Sequence, residues 1–174
     1  MRASLFRGIR RIGGEQGGVA AVEFALVMPI LLLLLFGSIE LGRLMRDYHV
    51  ASKGVRDAGR FLSRVPASCT APGAGTIAAD ELTRARNLAL TGRVQAPSTP
   101  GDYLLPYWTD PASIAIEVDC VANDGSYAGL YAASAFIARL TVTATVPFTF
   151  VSGYVFAEDG LNFSIAHNQV SVGE

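Results

Sequence analysis

Residues 17–39 read GGVAAVEFALVMPILLLLLFGSI, and no other stretch limits the possible folds as strongly. From Phe24 to Phe36 every side chain is apolar, and Leu31 to Leu35 are consecutive leucines. With the small residues at either end, the run reaches about 20 residues, enough for a helix to cross a bilayer core. A helix in a soluble core needs an apolar stripe, not an apolar surface on all sides. The run therefore predicts a membrane span. An ordinary secretory signal fits less well. The run exceeds a typical h-region, and Phe36-Gly37-Ser38-Ile39-Glu40 is a poor small-residue cleavage site.

Two residues are unusual for a plain anchor. Glu23 lies near the start of the run, and an ionised carboxylate in hydrocarbon costs about 2.5–3.5 kcal/mol on insertion scales. Pro29 lies in its interior, removes one backbone hydrogen bond and predicts a kink. From these two residues alone, Glu23 has two equal accounts. It is either a carboxylate at the headgroup level or one placed for a cationic partner inside an assembly.

The residues upstream favour the second account. Gly18-Val19-Ala20-Ala21-Val22-Glu23-Phe24 sets a glycine, four small or apolar residues, a glutamate and an aromatic in that order. This resembles the prepilin pattern, in which a membrane aspartyl peptidase cuts after the glycine and leaves glutamate at the fifth mature position. The continuation EFALVMPILLLLLFGSIELGRLM, followed by ASKGVRDAGR, resembles the TadE-like pilus assembly proteins, minor pilins or pseudopilins of the tight-adherence (Flp) system. The resemblance covers about Gly17 to Arg60. It implies a leader at 1–18 removed between Gly18 and Val19 by a prepilin peptidase. It also implies that Glu23, Phe24 and Pro29 serve assembly, with Glu23 pairing with the N-terminal amine of another subunit. The implied partners are the inner membrane, other pilus subunits or pseudopilins and the assembly machinery.

Charge is compatible with that placement. Arg2, Arg7, Arg10 and Arg11 precede the span against Glu15, as in a cytoplasmic leader, although Arg43, Arg46, Lys53 and Arg56 follow it closely. The net charge of −1 leaves no basic footprint, so no nucleic-acid partner is expected. At 174 residues the chain has room for one span and one modest domain.

No proline occurs between Pro29 and Pro66, so the helix is expected to continue beyond the span, at 40–65. A helix from Val19 to Arg64 would be about 70 Å long, at about 1.5 Å per residue. Leu41, Leu44, Tyr48, Ala51, Val55, Ala58, Leu62 and Val65 recur at alternating steps of three and four and form one stripe. Arg43, Asp47, Lys53, Asp57 and Arg60 fall elsewhere, with Arg43–Asp47 and Lys53–Asp57 as surface pairs. For the outer half the stripe is expected to pack on a domain core, with bundling between helices as the alternative, whereas for the membrane half bundling is expected.

Pro66 to Gly75 reads as a connector, residues 77–90 as a short helix stopped by Gly92, and 93–112 as a proline-punctuated loop. The aromatic residues of that loop, Tyr103, Tyr107 and Trp108, are expected against the core. A partner surface is the alternative. Gly73-Ala74-Gly75-Thr76-Ile77-Ala78 mimics a dinucleotide fingerprint but lacks the preceding strand. Period-two alternation predicts strands at 114–122 and 138–150, and a weaker one through Leu161, Phe163 and Ile165. Pro147 within the second predicts an edge or a bend. Asp124-Gly125 and Asp159-Gly160 are turn signals. The expected fold is α+β and pilin-like, a long N-terminal helix packed on a small antiparallel sheet, with residues 66–174 as the periplasmic domain.

Chemistry-bearing patterns are scarce. The chain has two histidines, His49 and His167, and no CxxC, HExxH, Walker or GxSxG motif, so no catalytic residue, metal ligand or cofactor is assigned. No small-molecule substrate is expected either. The two cysteines, Cys69 and Cys120, both follow the span, and in a bacterial periplasm they would oxidise to a bridge. Buried free thiols are the alternative. The outstanding rival for the whole chain is a signal-anchored periplasmic binding or sensor module that is never cut. An anchored enzyme would need a convergent polar site.

Overall fold

The computed structural model describes residues 16–125, 129–150 and 160–172. Residues 1–15 of the expected leader, with all its arginines, and Asp159 lie outside the described residues. The fold is α+β. Helix α1 (Gln16–Ser63) carries Pro29 within it and comprises 48 residues. The chain forms two compact units, divided between Gly42 and Arg43.

In the first unit α1 shows its apolar surface to the outside. Phe24, Leu26, Ile30, Leu33 and Phe36 are all exposed. The helix is long and apolar enough to cross a membrane. An exposed apolar patch of this extent marks a surface for lipid or for other protein.

The second unit begins with the rest of α1. The hairpin strands β1 (Ser68–Ala71) and β2 (Ala74–Thr76) follow, then helix α2 (Ala79–Thr91). Strands β3 (Ile114–Ala122), β4 (Phe136–Phe148) and β5 (Leu161–Val170) form an antiparallel sheet in the order β3-β4-β5. Short 3-10 turns lie at Pro100–Asp102, Pro111–Ser113 and Gly129–Tyr131. Ala51, Val55, Ala58 and Leu62 on α1 are wholly buried in one cluster with Leu140, Val142, Ala144 and Val146 on β4. The stripe is thus a core face from Ala51 onward. Of its first three members, Leu41 and Tyr48 are 56% and 43% exposed and Leu44 is half-buried, which corrects the expectation that the whole stripe is covered.

Three local features explain how the layers close. Gly54 brings α1 against α2, because a Cβ there would lie 2.3 Å from the Ala89 carbonyl oxygen. Gly92 ends α2 in the left-handed region (φ 73°) and donates its amide hydrogen to Leu88 O at 2.9 Å. Pro147 sits in the central strand, not an edge. Ala138 accepts from Ser171 in the β5 direction, so alternation turns the Pro147 nitrogen toward β3. β3 starts at Ile114, opposite Ala144, so no strand is there to miss the proline's hydrogen.

Two segments differ from expectation. The connector after Pro66 is a hairpin. Gly75 in it lies so close to β3 that a Cβ would meet Val118 Cγ1 at 2.4 Å and Cys120 Sγ at 2.8 Å. The last strand is longer than its apolar pattern, running to Val170 because His167 and Gln169 pair with Val142 and Leu140.

Candidate assembly site

The residues singled out for assembly all lie on α1. Gly18, Val19, Glu23, Phe24 and Pro29 are exposed along the first unit. The glycines separate into two kinds. At Gly54 and Gly75 a side chain would collide with backbone or core, whereas at Gly18 an added Cβ meets nothing within 4 Å. Packing within the described chain therefore gives no reason for glycine at position 18.

In the second unit, the turn of α1 just past the apolar run holds a buried carboxylate. Asp47 is fully buried, which corrects its assignment to the solvent face. Its Oδ1 accepts from Arg46 Nη2 at 2.8 Å and from Nε at 3.0 Å, and its Oδ2 accepts from the Tyr107 hydroxyl. Burial and the bond to Asp47 push the Tyr107 phenol well above its ordinary range. Hydrogen bonding to Asp47 likewise raises the Arg46 guanidinium. Beside this cluster, Arg43 lies over the Phe148 ring, 5.6 Å from its centroid. The other surface pair is present, with Lys53 Nζ 3.0 Å from Asp57 Oδ2.

Tyr107 reaches Asp47 because its loop is tightly held. Leu104 donates its amide hydrogen to Leu90 O, and Leu105 and Trp108 are buried. Trp108 Nε1 donates to Ser113 Oγ at 2.8 Å. Earlier in the loop Asp102 Oδ2 accepts from the amides of Thr99 and Ser98, each at 2.8 Å, and these bonds lower its carboxyl to about 2. The aromatic residues thus serve the core, as their composition predicts. Nothing in the sequence marked Asp47 as the acceptor of the Tyr107 hydroxyl.

Cys69 and Cys120 form a disulfide, with Cα atoms 5.8 Å apart. It ties β1 to β3, and Gly73 N–H donates to Cys120 O at 2.9 Å beside it. His167 faces α1, where Gly59 leaves it room, and its Nε2 is 3.1 Å from Gln169 Nε2. Among the described residues no three His, Cys, Asp or Glu side chains gather to hold a metal.

No curated protein and no solved structure matches the chain. Residues 18–60, from Gly18 through Glu23, Pro29 and Asp47 to Arg60, match the TadE-like protein family, and it is to that family that this part of the chain is similar.

Proposed function

We propose that this chain is a minor pilin or pseudopilin subunit for assembly of a tight-adherence (Flp-type) type IV pilus, trimmed after Gly18 by a prepilin peptidase. The observation that carries this is the family match beginning at Gly18, on a helix whose apolar surface is exposed. TadE-like proteins belong with the Tad pilus and are structural proteins, not enzymes.

In this account the chain is a single-pass protein of the bacterial inner membrane. Residues 1–18 are the cytoplasmic leader, 19–39 the span, 40–65 the amphipathic continuation and 66–174 the periplasmic domain. Trimming creates an amine at Val19, four residues before Glu23. The carboxylate of one subunit then neutralises the amine of another, which offsets the desolvation of both charges when helices pack in lipid. The free space around Gly18 supports this account, because a requirement for glycine there would come from the peptidase's cleft and not from the fold.

Intact-mass measurement of the protein from its own host tests the proposal. A mature chain starting at Val19 is expected. Full-length protein persisting beside an active prepilin peptidase would overturn the processing step and favour the uncut, signal-anchored module.

A further inference from the structure

Within the second unit, β5 runs along α1 in the same direction. Its Phe163 ring lies 5.9 Å from the Tyr48 ring, and its His167 lies against Gly59. Just past the strand, Val172 N–H donates to Ser63 O at 2.8 Å. Leu161 therefore stands at the end where α1 enters this unit, and Val170 at the opposite end. β4 runs the other way and brings Phe148 opposite Leu161. Two contacts fix the level of this end. The Arg43 guanidinium lies 5.6 Å from the Phe148 ring centroid, and the Phe148 and Phe150 centroids are 5.3 Å apart.

The chain itself ties that level to the apolar run. Arg43 follows Ile39 by four residues, about 6 Å of helix. Residues 19–39 as a helix cover about 30 Å, the thickness of a hydrocarbon core, and the headgroups add about 5–7 Å on each side. Arg43 and the residues at its level thus fall within reach of the headgroup layer.

The side chains presented there suit such a layer. Met45 and Leu161 are each 53% exposed, and Phe150 is half-buried. Arg46 exposes 67% of its side chain. Its Nε and Nη2 each give a hydrogen to Asp47 Oδ1, which holds the guanidinium in place. A guanidinium has more donors than these, and the rest can turn to an outside acceptor. Arginine set among exposed apolar side chains, next to a span, is the composition of a membrane interface.

We propose that this end of the second unit rests in the headgroup layer of the bilayer that holds the span. Met45, Phe150 and Leu161 turn to the acyl boundary, and the Arg46 guanidinium donates to lipid phosphate. Anionic lipid strengthens the contact, because a cation near such a surface is attracted to it. β5 then leads away from the membrane, from Leu161 to Val170. The inference rests on the membrane span proposed above and adds a lipid surface as partner of the domain.

Depth-dependent quenching tests it on the full-length chain in vesicles of phosphatidylcholine and phosphatidylglycerol. The native cysteines are paired, so a single introduced cysteine can carry a fluorescent label. Leu161→Cys should lose several times more emission to a lipid spin-labelled at its headgroup than Val170→Cys, which is 42% exposed at the far end of β5. Leu34→Cys, within the span, should be quenched by a lipid labelled deep in its acyl chain. Quenching at 161 no greater than at 170, with Leu34→Cys quenched, would overturn the inference and leave the span standing. Absence of quenching at 34 would overturn both. Arg46→Gln should reduce the loss at 161, and Arg46→Lys should restore it. An unchanged loss in Arg46→Gln would overturn the assignment of this guanidinium to phosphate.

Discussion

The hydroxyl of Tyr107 donates to the buried carboxylate of Asp47, a residue 60 positions earlier in the chain. This bond fastens the proline-rich loop to the first turn of the second unit. It helps to satisfy a carboxylate that is fully buried. Removing the phenol hydrogen takes from Asp47 Oδ2 the donor that Tyr107 supplies. Tyr107→Phe should therefore destabilise the full-length chain by about 1–3 kcal/mol, the cost of an unsatisfied buried acceptor. In urea titrations the double variant Asp47→Asn/Tyr107→Phe should cost less than the sum of the two singles. Additive costs would show the two residues to be uncoupled.

Tyr107 should also resist ionisation. Its phenol is raised in the folded chain, so its contribution to stability is present below the unfolded value of about 10. That contribution is lost only as pH rises through the higher folded value. Spectrophotometric titration should show one tyrosine fewer ionising in the ordinary range in wild type than in Asp47→Asn.

Asp102 works at the other end of the scale. Its carboxyl is lowered to about 2 by the Thr99 and Ser98 amides, so its stabilising effect is present above about 4. The effect fades as pH falls from there toward 2. Asp102→Asn should flatten the stability profile across that window and leave the profile above it parallel to wild type. Thermal melts at stepped pH would measure this.

Gly54 and Gly18 should respond oppositely to the same change. Gly54→Ala forces a methyl group against the Ala89 carbonyl, and overpacking of this kind costs about 1–3 kcal/mol, beyond any gain in helix propensity. Gly18→Ala meets open space and should leave Tm unchanged while blocking processing in the host. Glu23→Gln, which removes a charge from the span, should insert normally yet reduce piliation. Normal piliation in that variant would return Glu23 to the headgroup account.

The disulfide closes a long loop, from Cys69 to Cys120. Cys120→Ser should cost about 2–4 kcal/mol and lower the amount of protein in the membrane. Wild-type protein should take up no alkylating reagent without reductant, and two accessible thiols would exclude the bridge in the cell.

Some of this architecture is written in short-range pattern. The uninterrupted apolar run is long and apolar enough to cross a membrane, and its composition alone says so. Ala51, Val55, Ala58 and Leu62 repeat with the helix period, and Leu140, Val142, Ala144 and Val146 with the strand period. Each set defines a face whichever segment covers it. Gly92 stops α2 because the left-handed turn it makes is costly for residues with a Cβ. Other features depend on which distant segment arrives. Asp47 looks like any helix-surface acid until Tyr107 reaches it, and Gly54 looks like a weak point in α1 until Ala89 lies across it. β5 outlasts its apolar pattern because β4 goes on supplying hydrogen-bond partners as far as Ala138, which accepts from Ser171 N–H. Leu41 and Tyr48 obey the same period as Ala51, yet they stay largely exposed while Ala51 is buried. Periodicity assigns a residue to a face, but burial requires a second surface, and its extent is decided by tertiary contact.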